Sequence, residues 1–178
     1  MNKHLNQKQE TNMRIYKALS YYLQKKENVS ISKICRKCFI SRNTFYNHFE
    51  SIESLISTFR DDMLVTFINN LKKHLKTESL ELDYNRNILY ATYLYFKENK
   101  EFYFGYYKMF TKDFFESHIS KIKDVLIENP DVEVIEKIQN NEKLVNLVLY
   151  SFLCLVMYCL EINKEFDIKN LLINEFQF

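Results

Sequence analysis

Residues 30–55 contain two short helix patterns joined by only a tight turn, and a longer helix pattern follows at once. Ser30 and Ser41 precede the two short patterns, and serine is favoured at helix N-termini because its side chain accepts a backbone N–H. The apolar spacing predicts that the first helix ends near Cys38. Two helices this short with so brief a link are typical of a helix-turn-helix, whose second helix lies in the major groove of DNA. We therefore predict this motif here, with residues 44–49 in its second helix.

Glycine and proline are almost absent from the chain, which has one of each in 178 residues. These residues interrupt helices most often, so an all-helical fold is the natural expectation. Apolar residues make up 47% of the chain and charged residues 27%, which favours a buried core over disorder. The first twelve residues contain no apolar run typical of a secretory signal, and the four cysteines are then best explained as reduced thiols. We expect a cytoplasmic protein.

Charge is distributed unevenly along the chain, although the formal net charge is only +2. Residues 1–60 contain eleven Lys and Arg against four Asp and Glu, a local net charge of +7. The remaining 14 basic and 19 acidic residues give −5. A basic segment that coincides with a helix-turn-helix pattern is typical of a module that binds nucleic-acid phosphates. We therefore expect double-stranded DNA as a partner.

The run from Ile31 to Phe49, ISKICRKCFISRNTFYNHF, resembles the signature of the TetR (tetracycline-repressor) family of transcription regulators. Its position near the N-terminus also resembles that family. The resemblance implies an N-terminal three-helix DNA-binding domain, here residues 1–52, and a C-terminal helical bundle for ligand binding and dimerisation, residues 53–178. It also implies a homodimer whose last two helices, within about 141–175, form a four-helix interface. A two-fold dimer would bind a roughly palindromic operator.

The helix that begins after Ser41 carries most of the residues that we expect to read DNA. Arg42 and Asn43 lie in its first turn; arginine can bind guanine through two hydrogen bonds, and asparagine can bind adenine. By resemblance, Thr44 and Tyr46 match family positions that hold the DNA backbone. The alternative is that Arg42 and Asn43 are only solvated helix-start residues. The predicted DNA-binding residues are Lys33, Lys37, Ser41, Arg42, Asn43, Thr44, Tyr46, Asn47 and His48.

Three residues of the motif depart from the resembled family. Phe39 occupies a turn position where that family usually has glycine, so a positive φ there would cost roughly 1–2 kcal/mol. Asn43 stands where glycine is common, and Ile52 replaces a typical lysine near the start of the fourth helix. Each departure affects how the motif would dock on DNA.

Apolar spacing predicts further helices on both sides of the motif. A helix over 8–27 precedes it, and the pattern over 51–75 predicts an amphipathic helix of roughly 35 Å. A helix that long can belong to both domains, so we expect it to act as a mechanical link between them. The remaining predicted helices cover 82–98, 100–110, 112–127 (before a break at Asn129-Pro130), 141–163 and 167–175.

Aromatic residues are concentrated between Tyr84 and Phe115, a stretch that holds thirteen of the chain's 28 Tyr and Phe residues. Tyrosine rings with their hydroxyls could line a pocket for a small flat or apolar ligand. Residues 93–110 also resemble the ligand-binding and dimerising part of one branch of the TetR family. The competing explanation is ordinary core packing, because aromatic residues dominate cores. The predicted ligand-binding residues are Tyr90, Tyr93, Tyr103, Tyr106, Tyr107 and Tyr150.

Residues 144–160 form a run of seventeen residues without a charge. A helix that is apolar on every side is either buried or in a membrane. Seventeen residues span about 26 Å, which is short of the roughly 30 Å of a hydrocarbon core. Asn146 and Ser151 also weigh against a membrane span. We therefore predict burial in the helical bundle and no membrane partner.

Cys35 and Cys38 form a C-x-x-C pair in the second helix, for which three explanations compete. A zinc site would need four ligands, and only His48 lies nearby in sequence. A redox switch would need exposed, activated thiols. We favour the third explanation, small core residues, because free cysteine is among the most buried residue types. The same reasoning applies to Cys154 and Cys159 in the apolar helix.

Catalytic motifs are not found in the sequence, which has no G-x-S-x-G, no glycine-rich phosphate loop and no H-E-x-x-H. We expect neither an enzyme nor a cofactor or bound metal. The sequence predicts a homodimeric regulator, most simply a repressor that a ligand releases by shifting its population away from operator geometry. Two alternatives stay open: a TetR-like co-regulator that acts through protein contacts without reading an operator, and a hydrophobic-ligand carrier.

Overall fold

The computed structural model describes residues 3–77, 82–128, 131–162 and 167–174, and within these ranges all regular structure is helical. The predicted all-α class is therefore confirmed. The described helices are α1 (Lys3–Gln24), α2 (Ile31–Cys38), α3 (Arg42–Tyr46), α4 (Ile52–Thr77), α5 (Tyr84–Glu98), α6 (Lys100–Met109), α7 (Thr111–Leu126), α8 (Val132–Asn140), α9 (Glu142–Glu161) and α10 (Ile168–Asn174).

The helices pack as two compact units, and α4 contributes a long stretch to each. The first unit contains the described residues up to Met63 together with Glu101–Thr111, and the second contains Leu64–Lys100 and the described residues from Lys112 onwards. The first half of α4 thus belongs to the first unit and its second half to the second. The predicted boundary at residue 52 separates two functional domains, whereas these units are defined by packing alone. The functional boundary therefore stays a prediction.

Both ends of α1 differ from the sequence prediction, and the backbone closes the helix earlier than expected at its C-terminal end. α1 begins at Lys3 and ends at Gln24 instead of covering 8–27. Lys26 takes the left-handed conformation, with φ of 53°, and the Glu27 N–H donates to the Tyr22 carbonyl across the end. α8 was not predicted at all. The predicted break at residues 129–130 and the predicted ends at 163 and 175 lie outside the described residues.

The second helix of the predicted motif is also shorter than predicted. α3 ends at Tyr46, so His48 and Phe49, predicted to lie in this helix, follow it instead. The N–H groups of both residues donate to the Phe45 carbonyl at 2.9 Å, which tightens the last turn and ends the helix.

The core of the first unit is built around aromatic rings from α1, α3 and α4. Tyr16 lies 5.2 Å from Phe59 and 6.0 Å from Phe49 between ring centroids, and Phe45 lies 5.9 Å from Phe49. All four rings are buried. The Tyr16 hydroxyl donates to the Asp62 carboxylate at 2.6 Å, which joins α1 to α4 within this unit. These rings fix α3 against the two longer helices.

The second unit has its own aromatic core around His118. Rings of Phe67, Phe96 and Phe114 surround this histidine, with centroids 5.2, 5.3 and 4.3 Å from its own. The His118 Nδ1–H donates to the Phe114 carbonyl at 2.7 Å. Burial lowers the pKa of His118 to about 4, so the ring is neutral at ordinary pH.

The apolar helix α9 is buried on one face only within the chain, so the predicted burial in the helical bundle holds for that face alone. Leu149, Phe152 and Leu153 have no exposed surface, but Leu144 is 59% and Leu147 is 62% exposed. Further along the helix, the exposed side chains include Cys154, which we predicted to be buried, and Tyr158. The reason is geometric, since a charge-free sequence does not reveal which face meets the core. By length and composition, α9 is also the one helix among the described residues that could cross a bilayer.

Candidate nucleic-acid interface

The two predicted helix caps are confirmed, and they begin the two helices of the predicted motif. The Ser30 hydroxyl accepts the Lys33 N–H at 3.3 Å at the start of α2, and the Ser41 hydroxyl accepts the Thr44 N–H at 2.9 Å at the start of α3. Each serine has the extended backbone expected of a capping residue. Between the helices, the Ile40 N–H donates to the Cys35 carbonyl at 3.0 Å, so the turn reverses within three residues.

Phe39 closes α2 in the left-handed conformation, with φ of 55° and ψ of 47°. This is the turn position at which the sequence predicts a backbone cost if φ is positive. A side chain with a Cβ is disfavoured there, and glycine is the residue that adopts this conformation freely. The Phe39 side chain is also 90% exposed. The turn therefore carries backbone strain without any gain from burying the ring.

Replacing Phe39 with glycine should raise the free energy of unfolding by about 1 kcal/mol, because the left-handed strain is removed and no buried contact is lost. Lys26→Gly is a matched control, since Lys26 has almost the same φ of 53° and should give a similar gain. Urea unfolding followed by far-UV circular dichroism would measure both. A loss of stability for Phe39→Gly alone would contradict this account of the turn.

The outer face of α3 is polar and accessible, while its inner face is anchored by Phe45. Ser41, Arg42, Asn43, Tyr46 and Asn47 are exposed, and Thr44 and His48 are half-buried. The Arg42 guanidinium donates to the Ser32 hydroxyl, which joins the start of α3 to α2. The Thr44 hydroxyl lies 2.9 Å from that of Ser41 and is part of the cap.

The two predicted phosphate-binding lysines both have contacts within the chain. Lys33 Nζ lies 3.3 Å from the Glu27 carboxylate and donates to the Asn28 carbonyl at 2.9 Å. Lys37 Nζ lies 3.5 Å from the centre of the Tyr21 ring. A phosphate would have to compete with these contacts, although exposed pairs of this kind are weak.

His48 connects the end of the motif to α1. Its Nδ1 lies 2.6 Å from the Asn12 side-chain oxygen. Partial burial, and secondarily the charge of Lys8, lower the pKa of His48. The ring is therefore neutral at neutral pH and would meet DNA as a hydrogen-bonding group rather than as a cation.

The cysteine pair lies in the packed interior of the motif, as the core explanation predicts. Cys35 and Cys38 are both buried, and their thiols donate to the carbonyls of Ser41 and Arg14 at 3.7 and 3.3 Å. Burial raises the pKa of Cys35, and raises that of Cys38 to about 11. High pKa values disfavour the thiolates that redox chemistry and zinc binding need.

The chain matches no family model, no curated protein and no solved structure. Three residues that the sequence did not single out contact the predicted DNA-binding residues or the end of α2. Ser32 and Asn12 hold Arg42 and His48, and the Arg14 guanidinium donates to the Cys38 carbonyl at the end of α2. Two of these contacts join residues more than 20 positions apart, so only the folded chain reveals them.

The six predicted ligand-binding tyrosines do not form one group. Tyr93, Tyr103 and Tyr106 are buried, Tyr90 and Tyr107 are half-buried, and Tyr150 is 47% exposed. Tyr103, Tyr106 and Tyr107 belong to the first unit and the others to the second. The Tyr103 hydroxyl donates to the Met63 carbonyl at 2.9 Å, which is a packing role. A ligand pocket lined by these residues stays a prediction.

Proposed function

We propose that the chain is a DNA-binding transcription regulator of the TetR type, with α3 as the recognition helix of a homodimer. The observation that carries the proposal is the outer face of α3, where Arg42, Asn43 and Asn47 are exposed above the buried Phe45. This face follows a doubly capped helix and a three-residue turn, in a segment with a net charge of +7 over residues 1–60. Exposed Arg and Asn on such a helix are the side chains that recognise guanine and adenine.

Arg42 is the residue most suited to sequence reading. Its contact with the Ser32 hydroxyl occupies only part of a guanidinium that has five N–H donors, so a bidentate contact to guanine is still available. The same contact restricts the side chain before DNA arrives, which reduces the ordering cost of binding.

We expect Arg42→Ala to cost about 1–3 kcal/mol on the preferred DNA site and to reduce the preference between sites. Lys33→Ala and Lys37→Ala should instead weaken all sequences similarly and flatten the salt dependence. Fluorescence anisotropy with matched specific and scrambled duplexes at several salt concentrations would separate the two patterns. If all three variants lost affinity equally on every duplex, α3 would not be the helix that reads the DNA sequence.

The exposed stripe of α9 supports the homodimer. Leu144, Leu147, Cys154 and Tyr158 recur at spacings of three, seven and four, so they share one side of the helix. A second copy of α9 would remove these side chains from water. Dimerisation of this kind would let two α3 helices enter successive major grooves about 34–36 Å apart.

Leu147→Glu should convert the dimer to a monomer, because it places a charge in the centre of the stripe. Val65→Glu is a matched control, since Val65 is 59% exposed on α4 against 62% for Leu147. Sedimentation velocity would give the mass of each variant. If Leu147→Glu remains a dimer, or if the wild type is a monomer, α9 is not the dimer interface.

Selection of bound duplexes from a random DNA pool, at near-physiological salt, tests the whole proposal. Enrichment of an inverted repeat with half-sites one helical turn apart is the expected result. Strong but sequence-indifferent binding, or none, would contradict operator reading. Preserved dimerisation in that case would favour the co-regulator alternative.

A further inference from the structure

An open cleft of about 480 Å³ lies within the first unit, between α1, the turn after α2 and the start of α6. Its volume is within the range of small-molecule sites in proteins. The residues that matter for its chemistry are Arg14, Lys17, Tyr21, Lys37, Phe39 and Phe102. None of them lies on α3, although Lys37 is also one of the predicted DNA-binding residues.

The cleft is positively charged. Arg14, Lys17 and Lys37 all line it, and within the described residues none of them forms an ion pair with a carboxylate. Glu101 is the single acid along its wall, so the lining carries two uncompensated positive charges. Cations gathered in one concave surface repel each other and attract an anion.

Tyr21 holds one further cation, Lys25, near the cleft beside Lys37. The ammonium groups of Lys37 and Lys25 lie 3.5 and 4.5 Å from the centre of its ring. A hydrogen bond from Lys25, and then the charges of both lysines, lower the pKa of the Tyr21 hydroxyl. The ring holds two cations beside the cleft without neutralising either of them.

The aromatic part of the lining includes Phe39, whose ring lies at the edge of the cleft. Phe39 combines a strained backbone with a side chain that is 90% exposed, so it gains nothing from the packing of its own chain. Backbone strain that persists at a surface residue is typical of functional sites, which include ligand-binding sites. Tyr21 and the half-buried Phe102 provide two more ring surfaces.

We propose that this cleft binds a small aromatic anion, a flat ring that carries a carboxylate, sulfonate or phosphate group. The ring packs on Phe39, and the anionic group lies between Lys17 and Lys37. Arg14 donates to the Cys38 carbonyl and shapes the wall. The site goes beyond the proposed DNA binding and does not depend on it.

Calorimetric titration of the full chain with naphthalene-2-sulfonate tests the site. The sulfonate should bind at least about tenfold more tightly than 2-naphthol, its neutral analogue, and than inorganic phosphate. Lys17→Gln and Lys37→Gln should each weaken the sulfonate several-fold. Lys8→Gln is the matched control, because Lys8 is exposed on the same helix as Lys17 but outside the cleft, and it should bind normally.

Phe39→Gly separates binding from folding. This variant should be at least as stable as the wild type and yet bind naphthalene-2-sulfonate about fivefold more weakly, because the aromatic contact is lost. Lys26→Gly should leave the affinity unchanged. The proposal would be overturned if 2-naphthol or inorganic phosphate bound as tightly as the sulfonate. It would also be overturned if Lys17→Gln and Phe39→Gly bound the sulfonate with wild-type affinity. These measurements need no DNA, so their failure is distinct from failure of operator selection.

Discussion

Replacing Gly105 with alanine should destabilise the protein by about 1–3 kcal/mol, although the same change in an ordinary helix stabilises by about 0.5–1 kcal/mol. Gly105 is the only glycine in the sequence and lies inside α6. A Cβ at this position would lie 2.7 Å from the Ser20 carbonyl oxygen and 2.9 Å from the Gln24 backbone nitrogen. Both are backbone atoms of α1, so neither can rotate away.

The contact between α1 and α6 leaves little room for adjustment. The single O–H of Ser20 is shared between the carbonyl oxygens of Glu101 and Phe102, at 2.9 and 2.6 Å, and the Gln24 amide donates to the Glu101 carbonyl at 2.6 Å. A methyl group at position 105 would push the helices apart and stretch these bonds. The contact lies in the first unit, so the loss should also disturb the aromatic core of that unit.

Urea unfolding followed by circular dichroism gives the sign of the change in the free energy of unfolding directly. Ser20→Ala is the companion variant, because it removes the hydroxyl shared between the two carbonyls without adding an atom and should cost about 1 kcal/mol. A gain in stability for Gly105→Ala would mean that the two helices are not in close contact at this glycine.

Local signals made the two helix caps predictable, and long-range contacts explain what was missed. Ser30 and Ser41 act on N–H groups three residues away, so their roles are visible in sequence. The contact partner of Gly105 lies about 80 residues earlier, and the sequence shows only that a glycine is present. The sequence does not show which face of α9 meets the core of the chain, for a related reason. Leu144 and Leu149 are alike in hydropathy, and only packing separates them.

The candidate interface was predictable to a similar extent. The residues of α3 follow from the cap at Ser41 and the 3.6-residue period. The contact of Arg42 with Ser32, and that of His48 with Asn12, depend on how α1 and α2 pack against α3. Strain at Phe39 was expected from the turn itself, whereas its 90% exposure beside a cationic cleft required the tertiary structure.

Acid should destabilise the second unit through His118, with a loss that begins near pH 6.5 and ends near pH 4. His118 is 1% exposed and its pKa is lowered to about 4 by burial, while an unfolded histidine has a pKa near 6.5. Between these values the unfolded chain binds a proton that the folded chain does not. Unfolding is therefore favoured as pH falls, by up to about 1.4 kcal/mol per pH unit and about 3 kcal/mol in all.

His118→Phe should flatten this dependence, because a phenyl ring fits the cluster of Phe67, Phe96 and Phe114 and cannot bind a proton. Its loss is the hydrogen bond to the Phe114 carbonyl, which is independent of pH in this range. His48→Gln is the control, since His48 is only half-buried and should leave most of the slope in place. Free energies of unfolding measured at intervals from pH 7 to 4 would distinguish the variants. Carboxylates titrate in all three proteins, so the difference between curves isolates His118. Parallel curves for wild type and His118→Phe would mean that the buried ring already carries its proton, or reaches water, in the folded state.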